Sequence, residues 1–411
     1  MRRLLLAGMS GCPLTEQALK GRRLWFVGIG GAGLSSYAVL AHAWGAEVGG
    51  WDRVRTPYLA GVEAAGIGVV IAPAPSPVPA GSEAVVSSAY AGQVAGRSRA
   101  EFLAELVSLQ DAIVVAGAHG KTTTASMIAF CLDRLGLDPS FLIGGEVPQL
   151  GGNARAGTGW LVVEGDESDR TVAALRPKIA VVTNVDLDHH TTFGSRHEVE
   201  RLFDDWLAQI PHVVRGEDSE PVDFELAVTG EHNRRNAAAA LAALELAGVA
   251  RSAAASVLAG YLGATRRFQL VGERRGIQVY DEYAHHPTEV RAALAAARER
   301  DPRRVLTLFQ PHLFSRTRHL AREFGLALAD ADVVAVVDVY GAREEPLAGI
   351  TGKLVVDAVA EARPGLPLAW TPKLADGVAF LARRARPGDL VLTLGAGDVE
   401  RAGPLLLEAV G

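Results

Sequence analysis

At about 150 residues per domain, a chain of 411 residues has room for two to three domains, with ligands expected in the clefts between them. A 49% hydrophobic, 21% charged composition excludes a disordered chain, and 41 basic against 47 acidic residues leave no positive field for a nucleic acid partner. Cys12 and Cys131 are too few for a disulfide framework or thiolate metal site, and no apolar run reaches the ~18–20 residues of a membrane span or forms a full export signal, so a cytoplasmic protein is expected.

The first series of elements runs from a strand at 24–28 through a glycine turn, a helix at 34–44, and strands at 47–51, 69–71 and 84–87. Strand alternating with helix predicts a parallel, doubly wound sheet, with the Pro-rich stretch 72–79 as a surface loop. The turn carries Gly28, Gly30, Gly31 and Gly33 in a G-x-G-x-x-G pattern, and Asp52 ends the next strand. Glycines there allow a tight turn and bring amide N–H groups and a positive helix end against a pyrophosphate. NAD and a nucleotide-sugar diphosphate both satisfy that requirement.

A second series opens with strand 112–116, which runs into Gly117-Ala118-His119-Gly120-Lys121-Thr122-Thr123 and a helix to 135. The chain has only five lysines, so one inside Gly-Lys-Thr after a strand is informative. Backbone amides can cradle phosphate, Lys121 can reach the outer phosphates, and the Thr122 hydroxyl can ligate Mg²⁺. Val115 stands where the usual first glycine would be, and Gly117 follows two residues later. Strands 160–164 and 179–183 each end in polar residues: the acids Glu164, Asp166, Glu167 and Asp169 after one, and Asp186 and Asp188 with His189 and His190 after the other. Carboxylates at adjacent strand ends beside a phosphate loop suit Mg²⁺.

After an alanine-rich helix at 236–246, a third series restarts near 266 with strands 277–280, 304–309, 333–337 and 390–394 and a helix at 288–298. Its strand ends carry His285-His286-Pro287 and Gln310-Pro311-His312 followed by Arg316, residue types that suit holding a carboxylate and handling a proton. The expected division is 1–108, 109–262 and 263–411.

In order, GIGGAGLSSYA, AGAHGKTTT, EGDESD, TNVDLDHH, GEHNRRNAAAA, RRFQLVG, DEYAHHPTEV and FQPHLFSRTRHLAREF resemble the Mur ligases over nearly the whole chain. The resemblance implies an α/β fold of three domains: a Rossmann-like N-terminal domain for a UDP-sugar, a P-loop-type central ATPase, and a Rossmann-like C-terminal domain that admits an amino acid. It implies ATP-dependent ligation of L-alanine to UDP-N-acetylmuramate through an acyl phosphate, in peptidoglycan precursor synthesis. ATP and Mg²⁺ are the implied cofactors, and the implied assembly is a monomer or homodimer. Gly28, Gly30, Gly31, Gly33, Asp52, Ser87 and Ser88 would hold the UDP-sugar. Gly117, His119, Gly120, Lys121, Thr122, Thr123, Asn233, Asn236, Arg267 and Asp281 would contact ATP. Thr122, Glu164 and His189 would ligate Mg²⁺, and Lys121, His285 and Arg316 would be catalytic.

The chain departs from the family pattern at Ala118, Arg170-Thr171, His190-Thr191 and Glu282, and its stretch between Phe203 and Gly230 is shorter than in typical members. Three other readings stay open on the sequence: a ligase that recycles a preformed peptide onto the same sugar, a catalytically impaired binding protein, and, from the first glycine motif alone, a nicotinamide dehydrogenase.

Overall fold

Val-, Ile- and Leu-rich strands of four to six residues, buried on both faces, form the middle of each sheet and leave helices to cover them. The computed structural model describes residues 17–188, 192–342 and 344–411; Cys12 lies outside them. Two compact units result. One runs through Asp186 and adds His197–Val222 and Asn236–Tyr261; the other holds Leu187–Arg196, Asp223–Arg235 and Leu262–Gly411.

The first unit carries two sheets. The first contains β1 (Arg23–Val27), β2 (Glu47–Asp52), β3 (Gly68–Ile71), β4 (Glu83–Val86) and β5 (Arg97–Ser98), with helices α1 (Ala32–Ala43), α2 (Leu59–Ala64) and α3 (Arg99–Leu109). Its order is β3-β2-β1-β4-β5, all parallel, so the winding reverses between β1 and β4 and a crevice opens beyond their carboxyl ends. Residues 72–79 form neither helix nor strand, as the prolines predict.

The second sheet contains β6 (Ala112–Ala116), β7 (Ser140–Val147), β8 (Gly152–Arg155), β9 (Leu161–Glu164), β10 (Ile179–Val182) and β11 (His212–Arg215). Helix α4 (Lys121–Arg134) follows β6, α5 (Arg196–Leu207) precedes β11, and α6 (Glu231–Leu246) and α7 (Arg251–Leu258) come after it. The order β11-β10-β6-β9-β7-β8 puts β6 between β10 and β9, and only β8 runs antiparallel. The loops after β6, β9 and β10 therefore converge on one edge. The short stretch after α5 leaves β11 as an edge strand, with no further strand before α6.

The second unit holds β12 (Gln269–Arg274), β13 (Ile277–Glu282), β14 (Arg304–Phe309), β15 (Val333–Val336), β16 (Leu368–Trp370) and β17 (Asp389–Leu394), in the order β12-β13-β17-β14-β15-β16. Helices α8 (Pro287–Arg298), α9 (Phe314–Leu328), α10 (Lys353–Ala362), α11 (Leu374–Ala382) and α12 (Ala402–Ala409) cover it. Phe309, Phe324 and Leu294 fill one face; Leu308, Leu381 and Leu406 fill the other. Only β12 is antiparallel, joined to β13 by Arg275 and Gly276, both at positive φ, as a two-residue hairpin turn of type I′ requires.

The fold is α/β, with a Rossmann-like first sheet, a phosphate-loop second sheet and a Rossmann-like third. The expected strands and helices recur within a few residues. Composition gave no sign of the two-residue β5 or of the glycine-rich β7–β8 hairpin, because neither has an apolar alternation to read.

Candidate active site

Gly28 (φ +86°) turns the chain sharply after β1, and a Cβ there would lie 2.9 Å from the Ser87 Cβ and 3.0 Å from the Tyr90 ring. Only glycine lets the loops after β1 and β4 approach so closely. Helix α1 begins at Gly31 with no side-chain cap and no acid in its first turn, leaving a bare positive end. Asp52, buried at the end of β2, accepts the Gly30 N–H at 2.8 Å, and the Thr56 hydroxyl donates to the Gly30 carbonyl at 2.7 Å. Asp52 thus fixes the turn, and the Gly30 amide is committed to it. The anion-ready donors lie further on, in the first turn of α1. Ser87 accepts the Ala89 N–H, and Ser88 is exposed.

The second glycine turn is more tightly determined. Gly117 (φ +124°) and Gly120 (φ +78°) sit where a Cβ would strike Thr183 and Asn184 in one case and the Asn236 amide, at 2.5 Å, in the other. Asn184 clasps the loop. Its backbone carbonyl accepts the Ala118 N–H at 3.2 Å, its side-chain oxygen accepts the His119 N–H at 2.9 Å, and its amide donates to the His119 carbonyl at 2.9 Å. Thr183 Oγ1 donates to the Ala116 and His119 carbonyls. Helix α4 then starts at Gly120, again with no side-chain cap and no acid in its first turn, a geometry made for phosphate.

Lys121 Nζ donates to the Gly117 carbonyl at 2.6 Å, the Ala118 carbonyl at 3.2 Å and Glu167 Oε1 at 3.0 Å. Burial alone would lower the pKa of this ammonium, but Glu167, Glu164 and Asp166 outweigh it and hold the group charged, above the ordinary lysine value. Thr122 Oγ1 donates to the Glu164 carboxylate, with oxygens at 3.0 and 3.1 Å, and the Gly144 N–H holds that carboxylate at 2.7 Å. Thr123 is buried one residue on. His119 Nε2 lies 3.4 Å from Asp186. His189 falls outside the described residues.

Asn236 joins the phosphate loop in the first unit, whereas Asn233, one helical turn earlier on α6, donates to the Thr229 carbonyl at 2.7 Å in the second. There Arg316, 2% exposed, donates from Nε and NH2 to Asp188 at 2.7 and 2.6 Å, and its NH1 lies 3.0 Å from His312 Nδ1. Asp188 therefore belongs with Arg316, and the acidic cluster of 186–188 divides between the two units. His285 is 3.8 Å from Asp188 and 3.4 Å from Glu289, and burial pushes its imidazole toward the neutral form. Asp281 accepts from Arg266 at 2.7 Å and from Thr393 at 2.7 Å; Arg267 stands 4.0 Å from Glu282 and over the Tyr283 ring. Burial pushes the Glu282 carboxyl up to about 7. Sequence reasoning missed Glu167 as the partner of Lys121 and the clasp by Thr183 and Asn184, although these residues lie in EGDESD and TNVDLDHH.

A chain with two bare helix starts on glycine turns, one of them bearing Gly-Lys-Thr beside converging acids, is an α/β protein of the phosphate-loop nucleotide-binding class. Residues 23–110 match the Mur ligase family catalytic domain, 115–213 the Mur ligase middle domain, and 266–397 the Mur ligase glutamate ligase domain. The UDP-N-acetylmuramate–L-alanine ligase of Renibacterium salmoninarum is 40% identical, over 94% of this chain and 96% of its own length. That of a Mycobacterium species (strain JLS) is 36% identical over 98% and 97%. The chain belongs to the Mur ligase family, ATP-dependent enzymes that form amide bonds. The alignment with the Renibacterium protein spans 452 positions against 411 residues here, so the relative carries segments that this chain lacks.

In fold, the chain is similar to UDP-N-acetylmuramate-alanine ligase from Thermotoga maritima (TM-score 0.77, 24% identity, 94% of this chain and 99% of that one). It is also similar to a murein peptide ligase from Psychrobacter arcticus (TM-score 0.62, 23% identity, 95% and 99%). Among the described residues no helix is long and apolar enough to cross a membrane.

Proposed function

We propose that this chain ligates L-alanine to UDP-N-acetylmuramate at the expense of ATP, in three functional parts divided near residues 108 and 263. The observation that carries the reading is the phosphate loop itself, with Lys121 and the Thr122–Glu164 pair on it, in a chain 40% identical to a ligase so named. A carboxylate is a poor acyl donor until one of its oxygens can leave. Transfer of the γ-phosphoryl group from ATP to that oxygen gives an acyl phosphate and ADP; the alanine amine then attacks the acyl carbon, and phosphate departs. The chain's task is to bind, orient and neutralise charge.

In this reading the amides of the Gly117–Gly120 loop and the α4 end cradle the phosphates, with His119 and Thr123 in the same loop and Lys121 neutralising the transferred group. Asn233, Asn236, Arg267 and Asp281 contact the nucleotide. The Gly28–Gly33 turn, fixed by Asp52, takes the sugar diphosphate beside Ser87 and Ser88. His285 and Arg316 position the amino acid and the muramyl carboxylate. Hydroxyl and carboxylate oxygens already paired at 3.0 Å are the hard donors that Mg²⁺ prefers, so Thr122 and Glu164, with His189, would hold it. When bound, it would screen phosphate charge.

The test is phosphate release with UDP-N-acetylmuramate, ATP and Mg²⁺ against L-alanine, glycine, L-serine and a tripeptide. Release dependent on L-alanine is expected. Preference for the tripeptide would transfer the chain to the peptide-recycling activity, and no release with any acceptor would leave a binding protein. A dehydrogenase would leave the Gly-Lys-Thr loop, with Lys121 and the Thr122–Glu164 pair on it, unexplained.

A further inference from the structure

Arg99 is the first residue of α3, where the helix dipole favours an anion rather than a cation. It is not needed for capping, because Ser98 and Glu101 already close that end with a reciprocal capping box. Its guanidinium instead reaches the loop after β9, where NH2 donates to Asp166 at 3.2 Å and to Asp169 at 2.8 Å. Each aspartate uses its other oxygen to fold the loop: Asp166 accepts the Ser168 N–H at 2.9 Å and Asp169 the Thr171 N–H at 3.0 Å. Glu167, between them, reaches Lys121 at 3.0 Å, and Glu164, at the start of the loop, holds Thr122.

On its opposite side Arg99 meets the first glycine turn. NH1 lies 3.0 Å from where a Cβ on Gly33 would stand, and the hydroxyl of the buried Tyr37 borders the same point at 3.8 Å. The Arg99 Nε is buried and has no hydrogen-bond partner among the described residues. One guanidinium therefore touches both the turn that begins α1 and the acidic loop that sets Glu164 and Glu167 against the phosphate loop.

We propose that Arg99 is a positioning residue that couples the two anion sites, so that a nucleotide diphosphate sugar seated on the Gly28–Gly33 turn steadies the Asp166–Asp169 loop and tightens nucleotide triphosphate binding at Lys121. The inference rests on the ligase reading insofar as it takes the first turn for the sugar-nucleotide site. Coupling acts in both directions, and its size is the ratio of affinities with and without the second ligand.

The experiment is calorimetric titration of the full chain with a non-hydrolysable ATP analogue and Mg²⁺, with and without saturating UDP-N-acetylmuramate. For the parent, a gain of at least about fivefold is expected. In Arg99→Ala and in Asp169→Asn, which weaken the contact from opposite sides, the ratio falls toward about 1 while the analogue alone binds within about threefold of parent. Arg99→Lys restores part of the ratio, since one ammonium nitrogen can stand in for NH2 at the carboxylates but cannot also supply the NH1 that faces the turn. Loss of coupling in either disabled variant, with a melting temperature near the parent's, separates positioning from misfolding. Parental coupling in the disabled variants, or none in the parent, overturns the proposal alone. Failure of the parent to bind the sugar nucleotide overturns the ligase reading and the proposal with it.

Discussion

Replacing Lys121 with methionine keeps the volume and removes the ammonium that Gly117, Ala118 and Glu167 share. Glu167 is 3% exposed, so the variant leaves a buried carboxylate without this cation, a change that costs about 3–5 kcal/mol in a fully buried pair. The Lys121 side chain is 17% exposed, which places the expected loss at the lower end, about 3 kcal/mol. At a slope of about 2 kcal/mol per molar urea, the midpoint should fall by about 1.5 M. Five of the six tryptophans lie in the unit that carries the phosphate loop, so intrinsic fluorescence follows its transition. Adding Glu167→Gln should return the midpoint to within about 0.5 M of the parent, because both charges are then gone. Phosphate release should fall at least about 10²-fold in the single and the double variant alike, since it needs the cation and not the pair. Affinity for UDP-N-acetylmuramate, measured without nucleotide, should stay within about threefold. An unshifted midpoint in Lys121→Met, or recovered turnover in the double variant, would refute the assignment.

Gly117→Ala combines φ +124° with a Cβ 2.7 Å from the Asn184 carbonyl oxygen, so a loss of about 2–4 kcal/mol is expected, with weakened ATP binding; unchanged nucleotide affinity would contradict the clasp. Glu282→Gln tests a carboxyl raised by burial from 4.5 to about 7. The folded state binds its proton more tightly, so the parent loses up to about 3 kcal/mol as pH rises through this window, whereas the glutamine variant should not. Parallel unfolding profiles at pH 5 and pH 8 would exclude that origin. His232 has the opposite sign: burial lowers it from 6.5 to about 4, so its stabilisation is lost as pH falls from 6.5 through 4. His232→Gln should flatten that acid limb of the urea midpoint, and an unchanged slope would clear His232 of the role.

The two glycine turns were legible because strand, glycine and helix start are neighbours in the chain. An apolar run followed by Gly28 or Gly117 and an uncapped helix forces exposed amides and a positive end wherever the rest of the fold goes. Acids at the ends of β9 and β10 were legible for the same reason. The family blocks added candidate roles, but not the partner that each side chain takes.

Those partners depend on strand order. Setting β6 between β10 and β9 brings Asn184 to the His119 amide across 65 residues and Glu167 to Lys121 across 46. The pairing of Asp188 with Arg316 spans 128 residues. Asp281 takes Arg266, which sits at positive φ, rather than its neighbour Arg267, a choice that no composition reveals. Local backbone chemistry, fixed by the sequence alone, determined where phosphate can be received. The choice of counter-ion for each buried charge came from tertiary structure, because desolvation is relieved only by groups that the folded sheets bring within hydrogen-bonding distance.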